Sequence, residues 1–518
     1  MARELRIRSA RIRSARRRAA LVGLLTVFVF IVIWLARSCG PHTVVSVVAR
    51  ATPTPPPYKS ALIRSGIHWS AMQAHDLART SAQIFGDGAF PASTGIVVED
   101  ARTGAILFSR NANMPLAPAS VLKVVVAATA LHALGPDYRF TTRLVTDVAP
   151  QGDTLPGSLW LVGGGDPELT SADLKREVAA MKSAGILRIA GDVIADGSLY
   201  GPDAVNPTWA ADDLEYGYAA LTSAVTMDGG TAQFTITPDP NGGAARVRVD
   251  PKAIGGELLG DVRTGSADAE NTLRIDPLLD GSGFRLSGTI PFGAPQKYWR
   301  SLSHPTQSAA VALRAMLIDA GIAVGGGIAV GQAPNSSVTL WTRRSRPLAA
   351  IIRRMMFDSD NHIAEQLLRT AGAQGFGVGS LPNGLEAERE YLQGIGVDQT
   401  AAVLADASGL STADRLSARA AATVLRDLVS SPDAERYAKL LPRVGVDGTV
   451  HVRNLAPDIR GRVLGKDGYI EGVSSLAGYV KTEHHGLVIY AFVVNGWERG
   501  LDAVWAAEDD YLSRLARM

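Results

Sequence analysis

Two side chains open the chemical reading: Ser120 and Lys123, three residues apart at the head of the run PASVLKVVVAATALHAL (118–134). On a helix that spacing sets both on one face, so the lysine amine can reach the serine hydroxyl. The helix N-terminus favours negative charge developing there. A lysine among apolar residues and near other cations loses its proton more easily, and can then act as a base toward a serine nucleophile. The alternative is a capped helix whose lysine snorkels to solvent. Only nine lysines occur in 518 residues, and this one enters an otherwise apolar helix. Two further clusters could complete a site. Ser359-Asp360-Asn361 offers a proton-relaying hydroxyl and an amide able to hold both a substrate carbonyl and the lysine, or else an ordinary helix N-cap. Lys466-Asp467-Gly468 begins a strand-like segment ahead of Gly472-Val473-Ser474-Ser475, or else is a glycine turn with a surface lysine.

Elements must carry these clusters. Residues 119–134 read as a helix, apolar nearly all round and so buried, stopped by Gly135-Pro136. Ahead of it, 67–85 has helical spacing, and GIVVE (95–99) and AILFS (105–109) are short strands about a turn. From about 140 to 345 the texture is β-rich and full of turns, with helical stretches only at 171–184 and 307–320. Helical texture resumes at 348–357, 361–373, 383–395 and 417–429. The chain closes with strands at 476–481 and 487–494 and a helix around 501–517. The reading is α+β: a helix-rich lobe in two pieces, 58–140 and 346–518, split by a β-rich insertion at 141–345. The last strands pair with the first hairpin in one antiparallel sheet. Trp160, Trp209, Trp341 and Trp497 read as core residues.

Length demands more than one core, because single cores stop growing at roughly 250–300 residues. The net charge of +2 is a sum of unlike parts. Residues 1–37 hold nine arginines against one acid, Glu4, which leaves the remaining chain at −6. An acidic body argues against nucleic acid as a partner. After an Arg-rich segment (1–18) comes an 18-residue apolar run at 19–36, long enough as a helix for ~27 Å of hydrocarbon. The arginines predict a cytoplasmic N-terminus and a single-pass cell-membrane anchor, with the body outside the cytoplasm. A cleaved signal that releases a secreted protein has a similar layout, although the nearest small-x-small triplet, Ala49-Arg50-Ala51, lies well beyond the run. Residues 37–57, with ATPTPPP at 51–57, read as a Pro-rich linker. Cys39 is the one cysteine, so no internal disulfide and no Cys-based metal cluster can form. No G-x-S-x-G elbow and no H-E-x-x-H is present, and GRVLGK (461–466) falls short of a phosphate loop.

Ser-x-x-Lys, Ser-Asp-Asn and Lys-x-Gly in this order resemble the signature set of penicillin-recognising serine acyl-enzymes. With LWLVGGGDPEL (159–169), Gly191-Asp192-Val193, Asn206-Pro207-Thr208-Trp209, NHIAEQLL (361–368), DASGL (406–410), GVDGT (445–449) and GVSSLAGYV (472–480), the chain resembles the class C low-molecular-mass penicillin-binding proteins, the D-alanyl-D-alanine carboxypeptidase/endopeptidase family S13. The resemblance runs from about residue 60 to the C-terminus. It implies a penicillin-recognising serine transpeptidase-like α/β/α lobe. It implies Ser120 as nucleophile, Lys123 as general base, Ser359 as proton relay and Asn361 as orienter of the substrate amide. Lys466, Asp467, Gly468 and Tyr469 would line the substrate, Lys466 facing its carboxylate and also Ser359, and the backbone N–H groups of Ser120 and Tyr469 would hold the oxyanion. Partners would be peptidoglycan peptides and β-lactams; no metal and no cofactor is implied.

One position departs. The family has Thr where this chain has Asp467, and a carboxylate there repels a substrate carboxylate. Two like charges ~4 Å apart at an effective dielectric near 20 cost about 4 kcal/mol, roughly a thousandfold. Either Asp467 turns away or pairs with an arginine, or specificity shifts toward amidated, longer or cross-linked peptides, or activity is weak or lost. The alternatives are a catalytically impaired cell-wall binder, and a β-lactamase or esterase using the same Ser–Lys chemistry.

Overall fold

A computed structural model describes residues 62, 66–86, 90–202, 205–278 and 282–518. The Arg-rich segment, the 19–36 run and the Pro-rich linker lie outside them. Among the described residues no helix is long and apolar enough to cross a membrane.

One antiparallel sheet carries the Lys466-Asp467-Gly468 segment and backs the helices that carry the other two clusters. Its strands are β1 (Thr94–Asp100), β2 (Ile106–Arg110), β3 (Val463–Ile470), β4 (Val473–Lys481) and β5 (Leu487–Asn495), in the spatial order β2-β1-β5-β4-β3. The first hairpin therefore joins the last three strands through β1 and β5, with Val97 opposite Ala491. Every residue of β1 is buried, as are all but one each of β4 and β5. Such runs belong to strands covered on both faces, and alternation then decides only which core each side chain enters. Val97, Ala477, Tyr479, Ile489, Ala491 and Val493 enter one core. Ile96, Val98, Leu476, Val480, Val488, Tyr490 and Phe492 enter the other.

Helices complete three layers. The second core is closed by α1 (Ala71–Gly86), through Leu77 and Phe85, and by α7 (Leu501–Ala516), through Val504, Tyr511, Leu512 and Leu515. The first core contains α2 (Leu122–Leu134), surrounded by α3 (Leu348–Asp358), α4 (Asn361–Phe376), α5 (Leu381–Gly394) and α6 (Ala418–Ser430). Ten of the thirteen residues of α2 are buried, consistent with a helix apolar on all sides. Gly135, at φ 80°, ends it.

Between α2 and α3 lies a separate core. It holds the sheet built on Thr141–Thr146, Leu159–Val162, Val193–Asp196, Ile328–Val330 and Val338–Arg344, smaller sheets, and the helices Ser171–Ser183 and Pro305–Asp319. The Gly-rich stretch GIAVGGGIAVGQ (321–332) yields two strands that do not pair with each other: Ala323–Val324 pairs with Arg188–Ile189 and Ile328–Val330 with Val193–Asp196.

Candidate active site

Ser120 does not sit in regular helix. Residues Ala119–Val121 form a 3-10 turn, and Ala119 is held at φ 45°, a left-handed value that costs a non-glycine residue of order 1–3 kcal/mol. The surroundings that impose this turn are visible. Asn495, at the end of β5, accepts from Ala117 N at 2.9 Å and donates to its carbonyl at 3.0 Å. Ser475, on β4, donates to the Pro118 carbonyl at 2.5 Å. Two glycines let backbone press against the turn. A Cβ on Gly409, itself at φ 77°, would lie 2.0 Å from the Ala119 oxygen; one on Gly468 would lie 2.7 Å from Ser120 N and 2.4 Å from Ser475 Oγ. Only glycine fits either position.

Lys123 is wholly buried beneath Ser120. Its Nζ lies 2.8 Å from Ser120 Oγ, 2.7 Å from Asn361 Oδ1 and 2.6 Å from the Ser408 carbonyl oxygen. Burial, and then the like charge of Lys466, pull its pKa down to about 7. Near neutrality the amine is therefore half unprotonated. A neutral amine has two hydrogens and one lone pair. With the hydrogens given to Asn361 and Ser408, the lone pair is left for the Ser120 hydroxyl proton.

The Ser-Asp-Asn segment joins two helices. Ser359 ends α3 in the left-handed conformation at φ 55°. Asp360 caps α4, accepting from Ile363 N at 3.0 Å. Asn361 opens α4 and also donates Nδ2 to the Tyr218 carbonyl at 2.9 Å. The N-cap reading and the site reading thus both hold, on adjacent residues. The Ser359 hydroxyl makes no hydrogen bond to Lys123 or Lys466 among the described residues.

Lys466, Asp467 and Gly468 lie within β3 rather than at a turn, at the edge of the sheet beside the serine turn. Lys466 is wholly buried; its amine donates to its neighbour, to Asp467 Oδ1 at 2.7 Å and to the Asp467 carbonyl at 2.6 Å, and not to Ser359. Among the described residues Asp467 pairs with no arginine. Thr449, from the GVDGT segment, donates to the same Oδ1 at 2.5 Å. Burial works against the Asp467 charge, but Lys466 and Thr449 outweigh it and hold the carboxyl below its usual range. Burial lowers the Lys466 pKa, opposed by Asp467. Tyr469 is exposed on the same strand.

Sequence reasoning gave no role to several groups that finish the site. Asp406 is wholly buried and collects Gly409 N at 2.7 Å, Ser411 N at 2.8 Å, Ser408 Oγ at 3.0 Å and Trp209 Nε1 at 2.8 Å. It thereby shapes the loop that presents the Ser408 carbonyl. Glu365, on α4, steadies the same loop by accepting from Ala407 N at 2.9 Å. Trp209 is not a core residue: half-buried, it reaches from the inserted region to Asp406, and Asn206 donates to the Ala405 carbonyl at 3.0 Å.

Residues 77–515 match the D-Ala-D-Ala carboxypeptidase 3 (S13) family. The chain is similar to the D-alanyl-D-alanine carboxypeptidase of Actinomadura sp. strain R39, 32% identical over 440 residues, 82% of this chain and 81% of that one. It is similar to the D-alanyl-D-alanine carboxypeptidase DacB of Haemophilus influenzae, 26% identical over 421 residues, 79% of this chain and 86% of that one. The crystal structure of penicillin binding protein 4 (dacB) from Haemophilus influenzae superposes with a TM-score of 0.75 at 25% identity, covering 86% of this chain and 99% of the other.

Proposed function

The chain belongs to the D-Ala-D-Ala carboxypeptidase 3 (S13) family of peptidases, and on that premise we propose that it cleaves peptides ending in, or cross-linked through, D-alanine by way of an acyl-enzyme on Ser120. The single observation that carries the reading is the buried Lys123 amine, 2.8 Å from Ser120 Oγ and drawn down to a pKa of about 7. In the reaction Ser120 Oγ attacks the carbonyl carbon while its proton passes to Lys123. The backbone N–H groups of Ser120 and Tyr469 receive the oxyanion. The C–N bond then breaks, and the proton reaches the leaving amine through the Ser359 hydroxyl. Asn361 keeps Lys123 oriented and turns toward the substrate amide. Water cleaves the ester and restores Ser120. A β-lactam enters the same first step and remains as the ester.

The Lys466–Asp467 pair bears on specificity. In this reading Asp467 already satisfies the ammonium that would meet a terminal carboxylate. Substrates whose residue at that position is amidated or extended into a cross-link are therefore favoured over a free C-terminus. The same pair favours a second reading, a cell-wall binder without turnover. Incubation with a free pentapeptide, its C-terminal amide and a cross-linked dimer, followed by mass spectrometry, separates them. We expect Ser120-dependent cleavage, fastest on the amide or dimer. Cleavage of none supports the binder, and fastest cleavage of the free acid sinks the specificity argument. The apolar run at 19–36 would hold this body at the outer face of the cell membrane.

A further inference from the structure

The loop that presents the Ser408 carbonyl to Lys123 is closed from behind by a second acid, one the Ser120 reaction does not use. Asp414 is wholly buried; its Oδ1 accepts from Ala405 N at 2.7 Å and from Asp406 N at 3.4 Å, drawing the two ends of residues 405–414 together. Its Oδ2 is buried with no partner among the described residues. The Asp406 carboxylate lies within hydrogen-bonding reach of the Asp414 carboxyl, and a bond between two such groups exists only where one keeps its proton. Asp406 is the better anion of the two. It collects four donors: the N–H groups of Gly409 and Ser411, the Ser408 hydroxyl and the Trp209 indole.

The surrounding charges leave Asp414 without a cation. From α4, Arg369 pairs with Glu365 at 2.8 Å, and Glu365 also accepts from Ala407 N. From α5 comes Glu388, wholly buried with neither oxygen partnered; burial, Asp406 and Glu365 raise its pKa well above the usual range. From α2, Lys123 gives its hydrogens to Asn361 and Ser408. Arg415, next in the chain, donates to the main-chain carbonyls of Thr412 and Asp414. A carboxylate buried without a cation, and with one oxygen unpartnered, costs far more than the neutral acid. Burial, and then the Asp406 charge, accordingly push the Asp414 pKa up to about 10.

We propose that Asp414 is a positioning residue for acylation: as a neutral acid it donates to Asp406, closes the 405–414 loop and fixes the Ser408 carbonyl against the Lys123 amine. An ionised Asp414 would repel Asp406 and spread the loop. It would also add to the pull that Asp406 already exerts on the Lys123 proton, against the base that Ser120 needs. The role in acylation rests on the Ser120 reading; the proton on Asp414 does not.

The test compares Asp414→Asn, which keeps an acceptor and a donor but cannot ionise, with Asp414→Leu, which keeps neither. Acylation of the full chain by a chromogenic β-lactam at neutral pH is expected within about threefold of wild type for Asn, and about tenfold or more slower for Leu. Thermal unfolding gives a readout independent of catalysis. The native wild type holds a proton that its unfolded chain releases above the ordinary carboxyl range, so its stability falls relative to Asp414→Asn as pH rises toward about 10. The gap between the two Tm values is expected to widen steadily from about pH 5 to about pH 9. Parallel Tm curves, a Leu variant as fast as wild type, or an Asn variant slowed about tenfold overturn the proposal. If the Leu variant does not fold, the Asn rate and the Tm gap still decide. A wild type that never acylates overturns the catalytic reading, while the Tm gap decides the proton on its own.

Discussion

Lys123 loses charge for two reasons that a pH profile can separate. Burial is the larger, and the ammonium of Lys466 adds to it. Below its pKa the amine carries the proton and cannot accept one from Ser120, so acylation by a chromogenic β-lactam is expected to fall with decreasing pH and reach half its plateau near pH 7. Replacing Lys466 by Met removes the second cause, and the acidic limb is expected to move to higher pH; a limb that stays in place would show that the two amines do not communicate. Asp467 makes the second residue-scale case. Asp467→Thr frees Lys466 to meet a terminal carboxylate. The bare like-charge estimate of about a thousandfold assumes an unpaired carboxylate, whereas Lys466 and Thr449 absorb much of this charge. The expected gain in kcat/KM for the free-acid peptide relative to its amide is therefore about tenfold. An unchanged ratio would remove Asp467 from the specificity argument.

The elements that present these residues were legible where they obey a period and hidden where backbone does the work. The apolar run of α2, its stop at Gly135 and the pairing of the hairpin with the last strands could all be read from residue types. The 3-10 turn at Ala119–Val121 could not, because its left-handed backbone is imposed by Asn495, Ser475, Gly409 and Gly468, which come from segments hundreds of residues away. The Ser408 carbonyl was equally hidden: a backbone acceptor leaves no mark in residue type. Gly468 offers the sharpest element-scale test. In Gly468→Ala the new methyl meets Ser120 N and Ser475 Oγ at once, and displacing the turn by even ~1 Å is expected to slow acylation about a hundredfold. Rates within a few-fold of wild type would mean that strand β3 does not hold the nucleophile in place.

At the scale of the whole molecule, the need for a second core and the acidic body followed from length and charge, but the tie between the two cores did not. Trp209 belongs to the inserted region and serves the catalytic lobe, because its indole N–H ends on a buried carboxylate that also shapes the Ser408 loop. Trp209→Phe keeps an aromatic ring, though a smaller one, and removes this donor; the loss is expected to cost about 1–3 kcal/mol in thermal unfolding and to slow acylation together with it. A loss of stability with no effect on acylation would make the contact merely structural. The central claim is that Ser120 is the nucleophile. Labelling the purified protein with a fluorescent penicillin, then mapping the label by proteolysis and mass spectrometry, tests it most directly. A stoichiometric adduct on Ser120, lost in Ser120→Ala and strongly slowed in Lys123→Met, is the expected result; no adduct, or one that persists in Ser120→Ala, would contradict the account.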